Sequence, residues 1–269
     1  MRRIRLTLEY DGTDFYGWQQ QKRTGERTVQ AVVENAVAKL PGEHGRLTAA
    51  GRTDAGVHAL AMVAHIDTSS DIADEKLRRA INAHLPADVV VLSLITVAPD
   101  FQAQFDCYYR RYLYRLRVVR DEPHGMALDR NRALLIHRHL DVLAMQTACR
   151  SFEGLHDFAS FATQETRNTE RRLFICELRE EVSELHLHVA AEGFLRNMVR
   201  SIVGTLLWVG SGKLRPQDVP SIIEARDRAR AGQNVPAHGL YFVEAGYAEW
   251  DREASEALLG RRHIGRASA

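Results

Sequence analysis

The hydrophobic period of this chain switches from that of a strand to that of a helix and back, and it does so in two successive halves. Ile4, Leu6, Leu8 and Tyr10 alternate with Arg3, Arg5, Thr7 and Glu9, the period of a half-buried strand. From Thr28 the apolar residues Val29, Val32, Val33, Ala36, Val37 and Leu40 fall on one helical face, with Thr28 as N-cap and Pro41-Gly42 as the stop. Strands are expected over 46–50 and 60–67, on either side of a glycine-bracketed loop. A helix over 74–85, ended by Pro86, and a strand over 89–97 complete the first half. The second half predicts a strand over 108–119, a helix over 140–152, strands over 173–180 and 185–191, helices over 194–209 and 217–231, and a last strand over 240–247. This is an α+β pattern with a junction near 99–104. The expected division is residues 1–104, residues 105–250, and a basic, mobile tail over 251–269 where periodicity ends. No low-complexity linker separates the halves, so they are expected to share one sheet.

Composition removes several function classes. The formal net charge is +1, so any nucleic-acid site must come from how Arg and Lys are distributed rather than from bulk charge. Cys107, Cys149 and Cys176 are odd in number and far apart, which excludes a disulfide framework or a CxxC-type zinc site and fits a reducing compartment. Arg5, Thr7 and Glu9 interrupt the apolar residues after Met1-Arg2-Arg3, so a secretion signal is not expected. No apolar stretch approaches the roughly 20 residues of a membrane span. The expectation is a soluble, cytoplasmic protein without membrane contact.

Three segments carry groups suited to chemistry. Gly51-Arg52-Thr53-Asp54-Ala55-Gly56-Val57-His58-Ala59 presents a carboxylate between two glycines that allow close approach of a bulky ligand. A carboxylate with the ordinary pKa of about 3.9 is ionised at neutral pH, and a nearby Arg favours that state. Such a group can act as nucleophile or base. The spacing alone more often describes an ordinary turn in which Asp54 accepts backbone N–H bonds. Tyr108-Tyr109-Arg110-Arg111-Tyr112-Leu113-Tyr114-Arg115-Leu116-Arg117, read as a strand, places Tyr112, Tyr114 and Leu116 on one face and Arg111, Arg115 and Arg117 on the other. Aromatic rings interleaved with guanidinium groups suit RNA; an aromatic core face backed by a solvated Arg face is the alternative. In 194–204, Arg196 and Arg200 are four residues apart near a helix N-terminus, where cations oppose the dipole. Either a buried carboxylate or a phosphate would suit them, or they form a solvated pair. His137/His139 and His186/His188 lack Cys or carboxylate companions at metal spacing, and there is no P-loop, deaminase or Gly-x-Gly-x-x-Gly signature. No cofactor and no metal are implied.

Together with Glu9-Tyr10-Asp11-Gly12-Thr13, Tyr16-Gly17-Trp18-Gln19, Asn82…Leu85-Pro86, Phe158-Ala159-Ser160-Phe161, Asn197-Met198-Val199-Arg200-Ser201-Ile202-Val203-Gly204 and Gly239-Leu240-Tyr241, these segments resemble the tRNA pseudouridine synthase A family, in the family's order over 4–247. The resemblance implies two ferredoxin-like halves in an extended mixed β-sheet, helices packed on one side, and a central catalytic cleft. It implies Asp54 as catalytic aspartate, Tyr112 as the ring stacked on the target base, and Arg200 as the aspartate's partner. Leu240 would line the pocket, and Arg52 would help extrude the base. It further implies a cofactor-independent homodimer that binds each tRNA across both subunits and makes pseudouridine at positions 38, 39 and 40 of the anticodon stem-loop. The stretches 22–27 and 164–170 are expected to be RNA-facing loops.

A uridine within a stem must leave the stack before its glycosidic bond is remade, at a cost of a few kcal/mol. Asp54 would then attack C6 of the ring or C1′ of the ribose, or take a ribose proton to give a glycal; all three routes fit the residues. A non-catalytic RNA-binding protein and an aspartyl phosphohydrolase are the rival classes. The second is disfavoured because Asp54 has no Asp-x-Asp companion for Mg²⁺.

Overall fold

β1 (Arg2–Tyr10) buries Ile4, Leu6, Leu8 and Tyr10, and Arg3, on the alternate face, forms a two-point ion pair with Asp67. The computed structural model describes residues 1–19, 25–119, 127, 129–163 and 168–261. After β1 come α1 (Val29–Val37), β2 (Thr48–Ala49), β3 (His58–Thr68), α2 (Asp74–Asn82), β4 (Val89–Val97) and β5 (Tyr109–Val118). They are followed by β6 (Leu134–Ile136), α3 (Val142–Cys149), β7 (Gly154–Asp157), β8 (Glu170–Glu180), β9 (Leu185–Ala191), α4 (Met198–Gly210), α5 (Val219–Ala225), β10 (Leu240–Gly246) and α6 (Arg252–Arg261). The class is α+β. Thr28 caps α1 as its sequence requires, its hydroxyl accepting from Ala31 N–H. The three cysteines are buried free thiols.

The chain forms two compact units, Met1–Arg110 with Phe242–Ala269, and Arg111–Tyr241. In the first, the strand order is β4-β1-β3-β10, with β2 added to β3. β1 runs antiparallel to both β3 and β4. Val29, Val33, Val37, Leu77 and Ile81 from α1 and α2 join Leu6, Leu8, Met62 and Ile66 in its core. In the second, the order is β5-β9-β8-β7 with β6 parallel to β5, which makes this sheet mixed. α4 is buried almost all round.

Several boundaries differ from the expected ones. The last strand follows the second half in sequence but belongs from Phe242 onward to the first unit, where it neighbours β3. Its seven residues are all buried, as an interior strand requires. The helix expected from Phe194 begins only at Met198, because Asn197 takes a left-handed conformation (φ 62°). Arg196 therefore lies ahead of the helix and does not share a helical face with Arg200. The helix expected over 217–231 is cut at Arg226, also left-handed, after which Asp227 caps a short 3-10 turn. The expected tail is helical through Arg261: Asp251 accepts from Ala254 N–H, and the fully buried Ser255 hydroxyl donates to Glu244. Residues 262–269 lie outside the described residues, as do 22–24 and 164–167 of the two loops expected to face RNA.

Candidate active site

The Asp54 loop connects β2 to β3 within the first unit. Its entry is fixed by Ala50, whose N–H donates to Val63 O. Arg110 donates from Nε and Nη2 to Ala50 O (3.0 and 2.9 Å) and also holds the carbonyls of Cys107 and Gln104. The crown of the loop is fixed by the chain that follows β1. Trp18 N–H donates to Thr53 O (3.0 Å), Gly56 N–H to Phe15 O (3.2 Å), and the Tyr10 hydroxyl meets the Thr53 hydroxyl at 2.8 Å. Gly17 has φ +89°, and a β-carbon there would sit 2.5 Å from Thr53 O; one on Gly12 would collide with the Val57 carbonyl. The two segments thus pack backbone on backbone, which only glycine permits. Thr53 is buried while Asp54 is half-buried and Arg52 exposed, so the loop turns its hydroxyl inward and its charges outward.

His58, four residues after Asp54, is buried, and its Nδ1 accepts the Gly12 N–H at 3.0 Å. Asp11 Oδ1 lies 3.1 Å from the same nitrogen. A backbone N–H can only donate, so the neutral tautomer with Nδ1 as acceptor accounts for the geometry, and the Asp11 contact is proximity. His58 pins the loop to the Asp11-Gly12 turn.

Tyr112, Arg200 and Leu240 belong to the second unit. The Tyr112 ring, in β5, meets Phe194 edge-on with centroids 4.9 Å apart. Arg200 stands in the first turn of α4, where its Nε donates to Val235 O (2.7 Å) and its Nη1 to Asn197 Oδ1 (2.9 Å). Leu240 is buried at the start of β10. The residues before it hold Tyr114, whose hydroxyl donates to Pro236 O (2.7 Å) and whose ring leaves no room for a β-carbon on Gly239. Burial pushes the Tyr114 phenol well up, against the opposing charge of Arg200. Arg200 and Leu240 are therefore joined to one stretch of chain, 235–240.

The arginines on the opposite face of β5 are drawn into contacts within the protein. Arg111 is fully buried, with Nη2 3.4 Å from His188 Nδ1. Arg115 makes a two-point pair with Glu184 at 2.8 Å, and His186 Nε2 meets the same carboxylate at 2.8 Å. Arg117 lies 4.0 Å from Glu184 and 3.9 Å from Asp129. Glu184 thus gathers the cations of the strand into an internal network.

A family model described as tRNA pseudouridine synthase matches residues 7–110 and 148–248. The chain is 47% identical over 253 residues to the tRNA pseudouridine synthase A of Thermus thermophilus, covering 93% of this chain and 98% of that one. The corresponding proteins of Caldicellulosiruptor bescii and Ruminiclostridium cellulolyticum are 43% and 42% identical, each covering 92% of this chain and 100% of its own length. The chain belongs to the tRNA pseudouridine synthase family. It is an isomerase that converts uridine to pseudouridine in tRNA.

The motifs of this synthase divide into groups that present chemistry and groups that hold them. Tyr10, Gly12, Gly17 and Trp18 build the seat of the Asp54 loop, and Arg110 clamps its entry. Sequence reading singled out neither Arg110 nor Asn197 as a contributor to the site. The glycine of Tyr16-Gly17-Trp18 was the available signal for the first seat, since a glycine between two aromatics marks a close backbone approach. Among the described residues no helix is long and apolar enough to cross a membrane, and no three or more His, Cys, Asp or Glu side chains are gathered as metal ligands would be.

Proposed function

We propose that the synthase modifies uridines 38, 39 and 40 of the tRNA anticodon stem-loop, with Asp54 as the catalytic carboxylate. The observation that carries this reading is the construction of the Asp54 loop. Its backbone is held by Ala50, Thr53, Gly56 and Val57, while the carboxylate between these anchors remains half-exposed. A rigid seat under an accessible carboxylate is the preorganisation that attack on a flipped nucleoside demands. Arg200 serves as the counter-ion that keeps Asp54 charged when the base excludes water. Tyr112 stacks on the extruded uracil, an interaction worth about 1–3 kcal/mol, and its hydroxyl is a candidate base for the C5 proton, a role that Tyr112→Phe separates from stacking. Arg52 fills the vacated stack or holds the phosphate, and Leu240 forms a wall of the pocket. Attack at C6, attack at C1′ and glycal formation share one requirement, an ionised and oriented Asp54.

In this reading the enzyme works in the cytoplasm, without a cofactor, as a homodimer of twice the 30.4 kDa chain mass, which light scattering would read directly. Purified protein is expected to release tritium from tRNA labelled at uridine C5. Asp54→Asn should abolish release while leaving tRNA binding intact. An Asp54→Asn protein that still turns over would remove Asp54 from the chemistry. Pseudouridine mapping in tRNA from cells lacking the protein tests the positions, and retention of pseudouridine at 38–40 would refute them.

A further inference from the structure

α4 starts on a residue whose backbone and side chain both depart from an ordinary cap. Asn197 has φ 62° and ψ 7°, and among the described residues only one other non-glycine residue, Arg226, has positive φ. The left-handed region costs a residue with a β-carbon about 1 kcal/mol, with Asn among those that tolerate it. An N-cap Asn normally accepts a backbone N–H of the first turn, yet the Asn197 side chain makes no such bond. Its Oδ1 instead accepts from Arg200 Nη1 at 2.9 Å.

A second acceptor comes from the stretch 232–236, which is fastened along α4. Gly232 N–H donates to Thr205 Oγ1 (2.8 Å), the Ser201 hydroxyl donates to Asn234 Oδ1 (2.7 Å), and Val235 N–H donates to Arg200 O (3.4 Å). Gly204 and Gly232 cross so closely that a β-carbon on either would collide with the other strand of chain. The stretch therefore cannot slide along the helix, and Val235 O stays 2.7 Å from Arg200 Nε. Two fixed acceptors on two different nitrogens of a planar guanidinium define both its plane and its direction.

We infer that Asn197 is a positioning residue for Arg200: its left-handed backbone aims Oδ1 at Nη1 and, with the Val235 carbonyl, sets the orientation of the guanidinium. This rests on the role proposed above for Arg200. A residue needed only for its backbone angle and one needed for its oxygen respond oppositely to glycine. Asn197→Gly keeps φ +62° without strain and removes the oxygen; Asn197→Asp keeps an oxygen acceptor.

The test is steady-state tritium release by the full-length protein, with melting temperatures measured alongside. Asn197→Gly should melt with the wild type and bind tRNA with unchanged KM, while kcat falls roughly 10- to 100-fold. Asn197→Asp should restore most of that kcat. In an Arg200→Lys background, which lacks the second nitrogen, Asn197→Gly should cause no further loss. Wild-type kcat in Asn197→Gly, no rescue by Asn197→Asp, or an undiminished loss in the Arg200→Lys background would each overturn the inference. Should Asn197→Gly melt early, the Arg200→Lys comparison decides alone, because a general folding defect persists in that background. Arg200→Ala at the wild-type rate would instead refute the role of Arg200 itself.

Discussion

Tyr112 is the residue at which the two proposed roles, stacking and proton transfer, can be separated by one atom. Its ring packs edge-on against Phe194, a contact that phenylalanine would preserve. Tyr112→Phe is therefore expected to fold and bind tRNA normally but to lose most tritium release; near-normal release would confine the ring to stacking. At this scale the carboxylate was readable as a candidate because Gly51 and Gly56 bracket it, but its spacing alone favoured a plain turn. The family order of the remaining motifs is what favours the catalytic reading, and Asp54→Asn is its test. What could not be read was the fate of the β5 arginines. Alternation assigned Arg111, Arg115 and Arg117 correctly to one face, but their partners Glu184, His186 and His188 come from β9 and the turn before it, about 70 residues on. Periodicity describes a face and not what covers it.

The β5–β9 pairing and the residues flanking it make an element whose stability should depend on acid. Burial alone would raise the Glu184 carboxyl, but hydrogen bonds from His186 and Arg115 outweigh it and hold the group at about 2, against an ordinary 4.5. A depressed carboxyl contributes stability that is full above 4.5 and is lost as pH falls toward about 2. Glu184→Gln should accordingly destabilise the protein at neutral pH by about 3 kcal/mol, since it strands the buried Arg115 charge. The gap between wild type and variant in chemical denaturation should close as pH drops through that window; a gap independent of pH would show that the Glu184 charge contributes nothing. Element existence was legible from period, as β1, α1, β4 and β9 illustrate. The start of α4 and the break at Arg226 were not, because each depends on one left-handed residue whose neighbours fit a helix. β6 and β7, of three and four residues, are too short to show a period at all.

For the whole molecule, the division into units is what sequence order concealed. The first unit unites residues 1–110 with 242–269, while the second is one continuous stretch, 111–241. β10 neighbours β3, and Glu244 within it accepts from the Tyr109 hydroxyl (2.6 Å) and the Ser255 hydroxyl (2.8 Å). Deleting the chain from Phe242 onward should thus strip hydrogen-exchange protection from β3 while β8 and β9 keep theirs; equal loss in both units would mean that they fold as one cooperative body. The same arrangement sets an order of events during translation. Domains ordinarily mature from the N-terminus as the ribosome delivers them at about 5–20 residues per second. Here the unit of residues 111–241 is delivered as one stretch, while the unit that seats Asp54 waits for residues beyond 241 to emerge. A nascent chain therefore cannot complete the sheet that carries the Asp54 loop until β10 has emerged, long after β3 itself.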